Sequence, residues 1–391
     1  MDHRPSIVYF ENMTRNRSQA PIAFTGGGTG GHIYPGLAVI SCLQRAALQS
    51  RIFWMGSNAG MDRSLVEAAG LEFYGIPSGK LRRYFSLKNI PDVFRVLAGF
   101  FAARRILKKL KPALLFSKGG FVSVPPCAAA ASLGIPVFTH ESDYSPGLAT
   151  KINIRFAKRI FTAYEDTARF LPPQYRERIT VSGNPVRPEF RHAGAAQREL
   201  IAAQGRAFLG LKAGDRILLV LGGSQGADEL NNLVRESLAE LTKMYTVVHQ
   251  TGPKKEWDVS AGERYLPYPY IRDEMPQVLA AAEIVLGRSG AGTVWESAAC
   301  GLPMVLVPLS GSGTRGDQVE NARFFEKAGA AVALLGDDVN PENLVSTIRA
   351  IAEDDEKRAA MAAASARLGT ADGASLIAEA ICAEHSASGG A

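Results

Sequence analysis

The chain has 391 residues, of which 46% are hydrophobic and 21% are charged, and its formal net charge is +6. This length predicts two domains rather than one, and the composition is typical of a soluble globular protein. No run of about 20 uninterrupted apolar residues occurs, so no membrane-spanning helix is expected.

Residues 1–20 are polar and charged and lack the apolar segment of a secretory signal. We therefore expect an N-terminal extension, partly disordered, on a cytoplasmic protein. The four cysteines lie far apart, and no Cys/His spacing typical of a zinc site occurs. The sequence thus predicts reduced thiols and no metal site.

A glycine-rich loop follows the first predicted strand, residues 22–25, and leads into a helix predicted over residues 33–47. Five of the six residues from Gly26 to Gly31 are glycine. Backbone N–H groups of such a loop can approach a phosphate or a sugar closely, and the helix directs its positive end to the same place. His32 adds a titratable side chain at the helix start. The loop predicts a site for an anionic or phosphorylated ligand.

The same loop contains the GxGxxG pattern of dinucleotide-binding proteins. That interpretation requires an acidic residue about 20 positions further on, but residues 32–61 contain no Asp or Glu. No glycine loop of the chain carries the Gly-Lys-Ser/Thr of a Walker loop. We therefore predict no nicotinamide or other cofactor.

Residues 80–111 form a basic window with ten Lys or Arg residues and one acid, Asp92. Aromatic and aliphatic residues alternate with these cations, which suits an anionic lipid surface. The alternative is a helix with one core face and one solvated basic face, which is the commoner meaning of such a pattern. We favour membrane contact, because the aromatic residues exceed what one core stripe needs. No nucleic-acid partner is predicted.

Helices alternate with further strands in the first half, which are predicted at residues 51–55, 114–117, 137–140, 160–162 and 179–182. The strand at 137–140 ends in four consecutive polar residues, His140, Glu141, Ser142 and Asp143. A lone histidine at such a place is usually structural. Four polar residues in a row at a strand end instead favour a reactive site.

The pattern restarts at a strand predicted over residues 216–221, followed by a second glycine loop, residues 222–226, and a helix over 228–244. Later strands are predicted at residues 246–249, 284–286, 304–307 and 331–334. Strand–helix alternation predicts a parallel sheet with helices on both faces, and two glycine loops predict two such sheets. The predicted fold class is α/β, with two Rossmann-like domains that face a ligand-binding cleft.

Two groups in the second half suit a sugar nucleotide. Glu296 lies about one turn inside a predicted helix, where a carboxylate can accept hydrogen bonds from both ribose hydroxyls; the alternative is an exposed helix glutamate. Asp317, Gln318 and Asn321 share one side of another helix and suit sugar hydroxyls. An N-capping aspartate would explain Asp317 but not the group.

Four segments of the chain together resemble the MurG family of N-acetylglucosaminyltransferases, in order from about residue 22 to residue 370. They are the glycine loop with His32 at 26–36, Gly-Asn-Pro-Val-Arg at 183–187, Gly-Gly-Ser-Gln-Gly at 222–226 and Arg-Ser-Gly-Ala-Gly-Thr at 288–293. The resemblance implies a GT-B fold and an inverting transfer of N-acetylglucosamine from UDP-N-acetylglucosamine to the muramyl 4-hydroxyl of lipid I, which gives lipid II.

The resemblance also implies that different segments of the chain have different roles. Residues 21–186 would hold the lipid acceptor and face the membrane, residues 187–370 would bind the donor, and residues 371–391 would form a C-terminal helix or tail. The implied location is the cytoplasmic face of the inner membrane, with the protein bound peripherally.

Individual residues are assigned by the same correspondence. Thr29, Gly30, Gly31 and His32 match the loop that faces the acceptor diphosphate, and Asp143 is a further substrate contact. The donor contacts correspond to Arg187, Ser224, Gln225, Ile271, Ala291, Glu296, Asp317, Gln318 and Asn321. The chain departs from the family where His-Glu-Gln-Asn is replaced by His140-Glu141-Ser142-Asp143.

The reaction needs a base for the acceptor hydroxyl, and His32 is the first candidate because an imidazole can accept a proton near neutral pH. Glu141 and Asp143 are the alternates. No Asp-x-Asp triplet occurs, so a metal-held diphosphate is not predicted. The alternative functions are a GT-B transferase with another lipid acceptor, a sugar-nucleotide epimerase, and a UDP-sugar-binding protein without turnover.

Overall fold

The structure is a computed structural model that describes residues 20–388, apart from 47, 49, 59, 80–88, 193, 224, 253–256, 258, 312–314 and the side chains of 89–91. The chain divides into two compact units. The first comprises residues up to 142, 146–185 and the segment from 372 onwards, and the second comprises 143–145 and 186–371.

The first unit contains a sheet of seven parallel strands in the order β3-β2-β1-β4-β5-β6-β7. The strands are β1 (Ile22–Thr25), β2 (Ile52–Ser57), β3 (Glu72–Ile76), β4 (Leu114–Ser117), β5 (Val137–Glu141), β6 (Arg159–Thr162) and β7 (Ile179–Val181). The helices that alternate with them are α1 (Gly30–Arg45), α2 (Asp62–Ala68), α3 (Asn89–Leu110), α4 (Val124–Ser132) and α5 (Leu148–Asn153).

Aromatic side chains fill the centre of this sheet. Phe24 on β1 lies opposite Trp54 on β2 and Phe116 on β4, and its ring centroid is 6.0 Å and 5.3 Å from theirs. All three side chains are fully buried. Strands buried on both faces lack the alternation of a half-exposed sheet, so their apolar runs mark the central positions.

The second unit contains a sheet of six parallel strands in the order β10-β9-β8-β11-β12-β13. The strands are β8 (Ile217–Leu221), β9 (Thr246–Gln250), β10 (Tyr265–Tyr268), β11 (Ile284–Gly287), β12 (Met304–Leu306) and β13 (Ala331–Ala333). The helices are α6 (Ala195–Leu209), α7 (Asp228–Met244), α8 (Met275–Ala281), α9 (Ala291–Ala299), α10 (Asp317–Lys327), α11 (Pro341–Ala352) and α12 (Asp355–Gly369).

The last helix, α13 (Gly373–Ser388), belongs to the first unit. Its Ile377 and Ile381 lie in the same buried cluster as Leu43 of α1. Lys158 and Glu384 form an ion pair at 2.8 Å. The C-terminal helix therefore completes the core of the unit in which the chain begins.

The predicted fold class is confirmed, and two strands were missed. Both β3 and β10 are edge strands, and β10 contains Pro267, which cannot donate to a ladder and is tolerated at an edge. The helix predicted over residues 33–47 begins three residues earlier, inside the glycine loop. No helix of the described residues is long and apolar enough to cross a bilayer.

Candidate functional site

A buried carboxylate holds the first glycine loop in place. Asp62, the first residue of α2, accepts hydrogen bonds from the Gly28 N–H at 2.9 Å and the Ser57 N–H at 3.0 Å. A Cβ on Gly27 would lie 1.9 Å from its Oδ2, and one on Gly28 would lie 2.7 Å from the Phe121 ring. The loop therefore needs glycine at these positions for close packing. Asp62 was not predicted, although it directly follows the stretch without acids.

His32 packs on a second glycine turn, at the end of β4. A Cβ on Gly120, whose φ is +77°, would lie 2.9 Å from Cδ2 of His32. The His32 N–H donates to the Thr29 carbonyl at 3.1 Å. Thr29 and Gly31 are exposed, His32 is half-buried and Gly30 is buried. The predicted acceptor loop thus presents Thr29, Gly31 and part of His32 at the surface.

The polar residues at the end of β5 are buried and bonded within the first unit. Nε2 of His140 is 3.0 Å from the Gly183 carbonyl oxygen. Burial and the nearby charge of Lys118 hold the pKa of His140 well below its ordinary value, so this imidazole is neutral and donates to Gly183. Glu141 accepts from the Gly147 N–H at 3.0 Å. His140 therefore has a structural role.

A buried lysine joins this group. Nζ of Lys118 donates to Oγ of Ser142 at 2.6 Å, and that hydroxyl donates to Oδ1 of Asn184 at 2.5 Å. Lys118 and Asn184 are both buried. Ser142, one of the two positions at which this segment departs from the family pattern, is thus the centre of a buried hydrogen-bond chain.

Asp143 takes part in a charge cluster with the start of α10. It pairs with Arg315, which also binds Asp317 at 2.6 Å, and it accepts from Nδ2 of Asn321 at 3.2 Å. Arg315 was not predicted as a site residue, because the sequence shows only a cation that precedes a glycine. The Arg315 guanidinium therefore pairs with Asp317, which was predicted to bind the sugar, and with Asp143, which was predicted as an alternate base.

Asn321 is fully buried, and its amide is used by the protein. Nδ2 also donates to the Ser289 carbonyl at 3.0 Å, and Oδ1 accepts from the Tyr144 N–H at 2.9 Å. Gln318 accepts from the Leu309 N–H at 2.9 Å through its Oε1, whereas its Nε2 has no hydrogen-bond partner among the described residues. Asp317 and Gln318 are half-buried, so they are the members of this face that can reach a ligand.

The second glycine loop follows β8 and packs against the end of β9. Gly226 has φ +74°, and a Cβ there would lie 2.2 Å from the Thr251 carbonyl oxygen. Around Gly223, in contrast, no atom of the residues that the structure describes lies within 4 Å of an added Cβ, and Gln225 is exposed. Ser224 lies outside the described residues. The loop is held on one side and open on the other.

Gln250, at the end of β9, connects this loop to the segment around Ile271. Its Oε1 accepts from the Ile271 N–H at 3.0 Å and its Nε2 donates to the Gly223 carbonyl at 3.4 Å. Gln250 and Ile271 are both buried. The Ile271 N–H is therefore occupied by the protein.

Glu296 lies in the second turn of α9. The carboxylate of Glu296 forms no hydrogen bond or ion pair with any residue that the structure describes. Burial raises its pKa to about 7, against the opposing charge of Arg187. The Arg187 guanidinium lies 4.7 Å from the centroid of the Phe190 ring. Ala291, the buried first residue of α9, contributes one of the backbone N–H groups that no residue inside the helix can pair.

The residues before α9 have structural roles. Arg288 donates to the Val307 carbonyl at 2.9 Å and pairs with Glu229 at 2.7 Å. Ser289 donates to the Gln318 carbonyl at 2.6 Å. These bonds fix the start of α9 relative to α7 and α10. In the second unit the predicted donor residues other than Arg187 thus follow the carboxyl ends of β8, β10, β11 and β12, where open parallel sheets bind ligands.

Comparison with known proteins assigns the class. The model of the glycosyltransferase family 28 N-terminal domain matches residues 22–162, and that of the C-terminal domain matches residues 217–377. A crystal structure of Acinetobacter baumannii MurG superposes with a TM-score of 0.67 at 25% identity, over 92% of this chain and 99% of that one. The fold and these matches define a two-domain glycosyltransferase of the GT-B class.

Two curated relatives carry the name UDP-N-acetylglucosamine--N-acetylmuramyl-(pentapeptide) pyrophosphoryl-undecaprenol N-acetylglucosamine transferase. The protein from Treponema denticola is 51% identical over 348 residues, which are 84% of this chain and 87% of the relative. The protein from Staphylococcus carnosus is 41% identical over 332 residues, 84% of this chain and 88% of the relative. The chain belongs to the MurG family of glycosyltransferases.

Proposed function

We propose that this protein transfers N-acetylglucosamine from UDP-N-acetylglucosamine to the muramyl 4-hydroxyl of lipid I, which gives lipid II. The observation that carries the proposal is the 51% identity, over 84% of the chain, with a relative named for this transfer. The aligned region includes residues of both units of the chain.

The donor nucleoside is held by the start of α9 and by Glu296 in this proposal. The Glu296 carboxylate has no partner among the described residues, and burial raises its pKa to about 7. It gains favourable partners when two ribose hydroxyls donate to it. The N–H of Ala291 and the Arg187 guanidinium add donors on the same helix end. Ile271 contacts the base through its carbonyl and side chain, because its N–H is bonded to Gln250.

The diphosphate is placed on the open side of the second glycine loop, at Ser224 and Gln225. The start of α7 follows this loop, and its first-turn N–H groups favour the negative charge that develops as UDP leaves. Gln318 and Asp317 contact the hydroxyls of the transferred sugar. Asn321 acts through Asp143 and Ser289, which its buried amide holds.

His32 is the proposed base, with Thr29, Gly30 and Gly31 around the acceptor diphosphate. It lies in the first turn of α1, where the helix dipole disfavours a charged imidazolium. Asp143 and Glu141 remain the alternates, but each already accepts a bond from a guanidinium or an N–H group of the protein.

Membrane contact is assigned to α3. Its Val93, Phe94, Leu97 and Phe101 recur at helical spacing on one side and are 46–67% exposed. Arg95, Arg105, Lys108 and Lys109 are exposed on the same helix. Apolar anchors beside several cations suit a surface of anionic lipid, such as the inner face of a cell membrane. Residues 80–88 of the basic window lie outside the described residues.

The experiment is incubation with UDP-N-acetylglucosamine and a lipid I analogue, with disaccharide and UDP measured in parallel. We expect both products in equal amounts. The matched control is Glu353→Gln, which changes an exposed glutamate just after α11 in the second unit and should keep full turnover. UDP release with diacylglycerol but not with lipid I would transfer the proposal to another acceptor, and sugar-nucleotide binding without any product would reduce it to a binding protein.

A further inference from the structure

A polar cavity of about 580 Å³ lies at the amino ends of the strands in the second sheet. Its wall comes from α6, the end of α8, α12 and the residues that precede β8, β11 and β12. Nine of its twenty lining residues are alanine or glycine, so short side chains leave the space open. The predicted donor residues lie at the opposite ends of these strands.

Four arginines and four acidic residues line the cavity: Arg198, Arg206, Arg216, Arg358, Glu199, Asp215, Glu283 and Asp355. Two of the arginines lie deeper than two of the acids. The side chains of Arg206 and Arg358 are 17% and 22% exposed. Those of Glu199 and Asp355 are 72% and 88% exposed and lie at the rim, where water screens them.

The one acid inside the cavity is shared between two cations. Glu283 accepts from Nε of Arg216 at 2.9 Å and pairs with Nε of Arg358 at 3.1 Å. Asp215 accepts from the Lys212 backbone N–H at 2.7 Å in its own turn. Arg358 also pairs with Asp355 at the rim, so the carboxylates of Glu283 and Asp355 together compensate the guanidinium groups of Arg216 and Arg358.

The two arginines on α6 keep hydrogen-bonding capacity. Arg206 reaches Glu199 only at 3.4 Å, and its Nε is buried without a partner in the part of the chain that the structure describes. The side chain of Arg198 forms no hydrogen bond or ion pair among those residues, and burial, together with the charge of Arg198, lowers the pKa of His192. Buried N–H donors without acceptors are unfavourable, and an anion in the cavity would supply the acceptors.

We propose that this cavity binds a small phosphorylated molecule, with its phosphate held by Arg198 and Arg206. Guanidinium groups bind phosphate oxygens in pairs, and the volume falls within the range of about 300–1,000 Å³ of small-molecule sites. The five residues of β8 separate the cavity from the second glycine loop by roughly 17 Å. The phosphate site is therefore distinct from the donor site, and it does not depend on the proposed reaction.

The test uses the full chain saturated with UDP, so that the donor site is filled, and inorganic phosphate as the probe at constant ionic strength. Phosphate binding is followed by the rise in melting temperature and by the ³¹P line width. We expect saturable binding by the parent and at least a tenfold weaker affinity in Arg198→Gln/Arg206→Gln. The control Arg349→Gln removes an arginine that pairs with Glu240 outside the cavity, and it should bind phosphate like the parent.

Arg198→Lys/Arg206→Lys separates geometry from charge, because lysine keeps the charge and loses the paired donors. The proposal is supported if the phosphate affinity of the double lysine variant lies between the affinities of the parent and the double glutamine variant. Equal phosphate binding by the parent and both double variants would overturn it, as would no saturable effect in the parent. Each variant's melting temperature without phosphate shows that the fold is intact, and turnover measured in parallel separates this outcome from failure of the proposed function.

Discussion

Replacing Glu296 with glutamine tests the proposed donor site by removing one charge from a carboxyl group that has no partner among the described residues. Burial raises the pKa of this carboxyl group to about 7. At that value roughly 10% of the side chain is ionised at pH 6 and roughly 90% at pH 8. If ribose hydroxyls donate to the ionised form, the affinity for UDP-N-acetylglucosamine should rise about tenfold from pH 6 to pH 8.

The same substitution should weaken donor binding but raise the stability of the protein at pH 8. A carboxyl group whose pKa is raised on folding contributes stability that is fully present below its unfolded-state pKa and is lost as the pH rises through about 7. The full shift corresponds to about 3 kcal/mol, and partial exposure of the side chain reduces it. Glu296→Gln should therefore be more stable than the parent at pH 8, while it binds the donor about 1–3 kcal/mol more weakly.

Calorimetric titration at pH 6, 7 and 8 measures the affinity, and chemical denaturation at pH 8 measures the stability. UDP-N-acetylglucosamine is the better ligand, since its doubly esterified diphosphate does not titrate in this range, unlike the terminal phosphate of UDP. Glu353→Gln is the control and should keep the parent's pH profile. The reasoning is refuted if the parent shows no pH dependence, or if Glu296→Gln shows the same dependence as the parent.

Four further outcomes are expected. His32→Ala should lose about a hundredfold to ten-thousandfold in turnover with UDP affinity unchanged; turnover within a few-fold of the parent would leave His32 a positioning role at most. Turnover should survive EDTA, as the lack of an Asp-x-Asp triplet predicts, and rescue of an EDTA-treated enzyme by magnesium would contradict this. Neutralising Arg105, Lys108 and Lys109 should weaken binding to anionic vesicles by about 1 kcal/mol per charge, measured by sedimentation against neutral vesicles. Asp62→Ala should lower the free energy of unfolding by about 3 kcal/mol, measured in urea, and an unchanged value would remove Asp62 from the support of the loop.

The sequence predicted the sheets well because their signals are local. Apolar runs such as Ile-Leu-Leu-Val-Leu in β8 and the glycine loops after β1 and β8 depend on a few neighbouring residues. The two missed strands, β3 and β10, lie at sheet edges, where half-exposed residues and Pro267 weaken the strand pattern. Edge strands are fixed by the neighbour that they pair with, which no short window contains.

The partners of the site side chains were not predictable in the same way. Asp62 bonds a loop 34 positions earlier, and Arg315 pairs with a carboxylate 172 positions earlier. Helical spacing correctly placed Asp317, Gln318 and Asn321 on one helix. It did not indicate that the Asn321 side chain is buried and that its amide forms hydrogen bonds with Asp143, Ser289 and Tyr144.

What distinguishes Glu296, the proposed ribose ligand, from the structural carboxylates of this chain is unused hydrogen-bonding capacity. Asp62, Glu141 and Asp143 all lie near strand ends, and each accepts bonds from the protein itself. Glu296 has a comparable position, yet its carboxylate meets no donor in the described part of the chain, and its pKa rises accordingly. Desolvation without compensation is unfavourable for folding alone. The cost of desolvation is compensated when a ligand supplies the missing donors. Residue type and position in the sequence do not show whether the protein or a ligand supplies them.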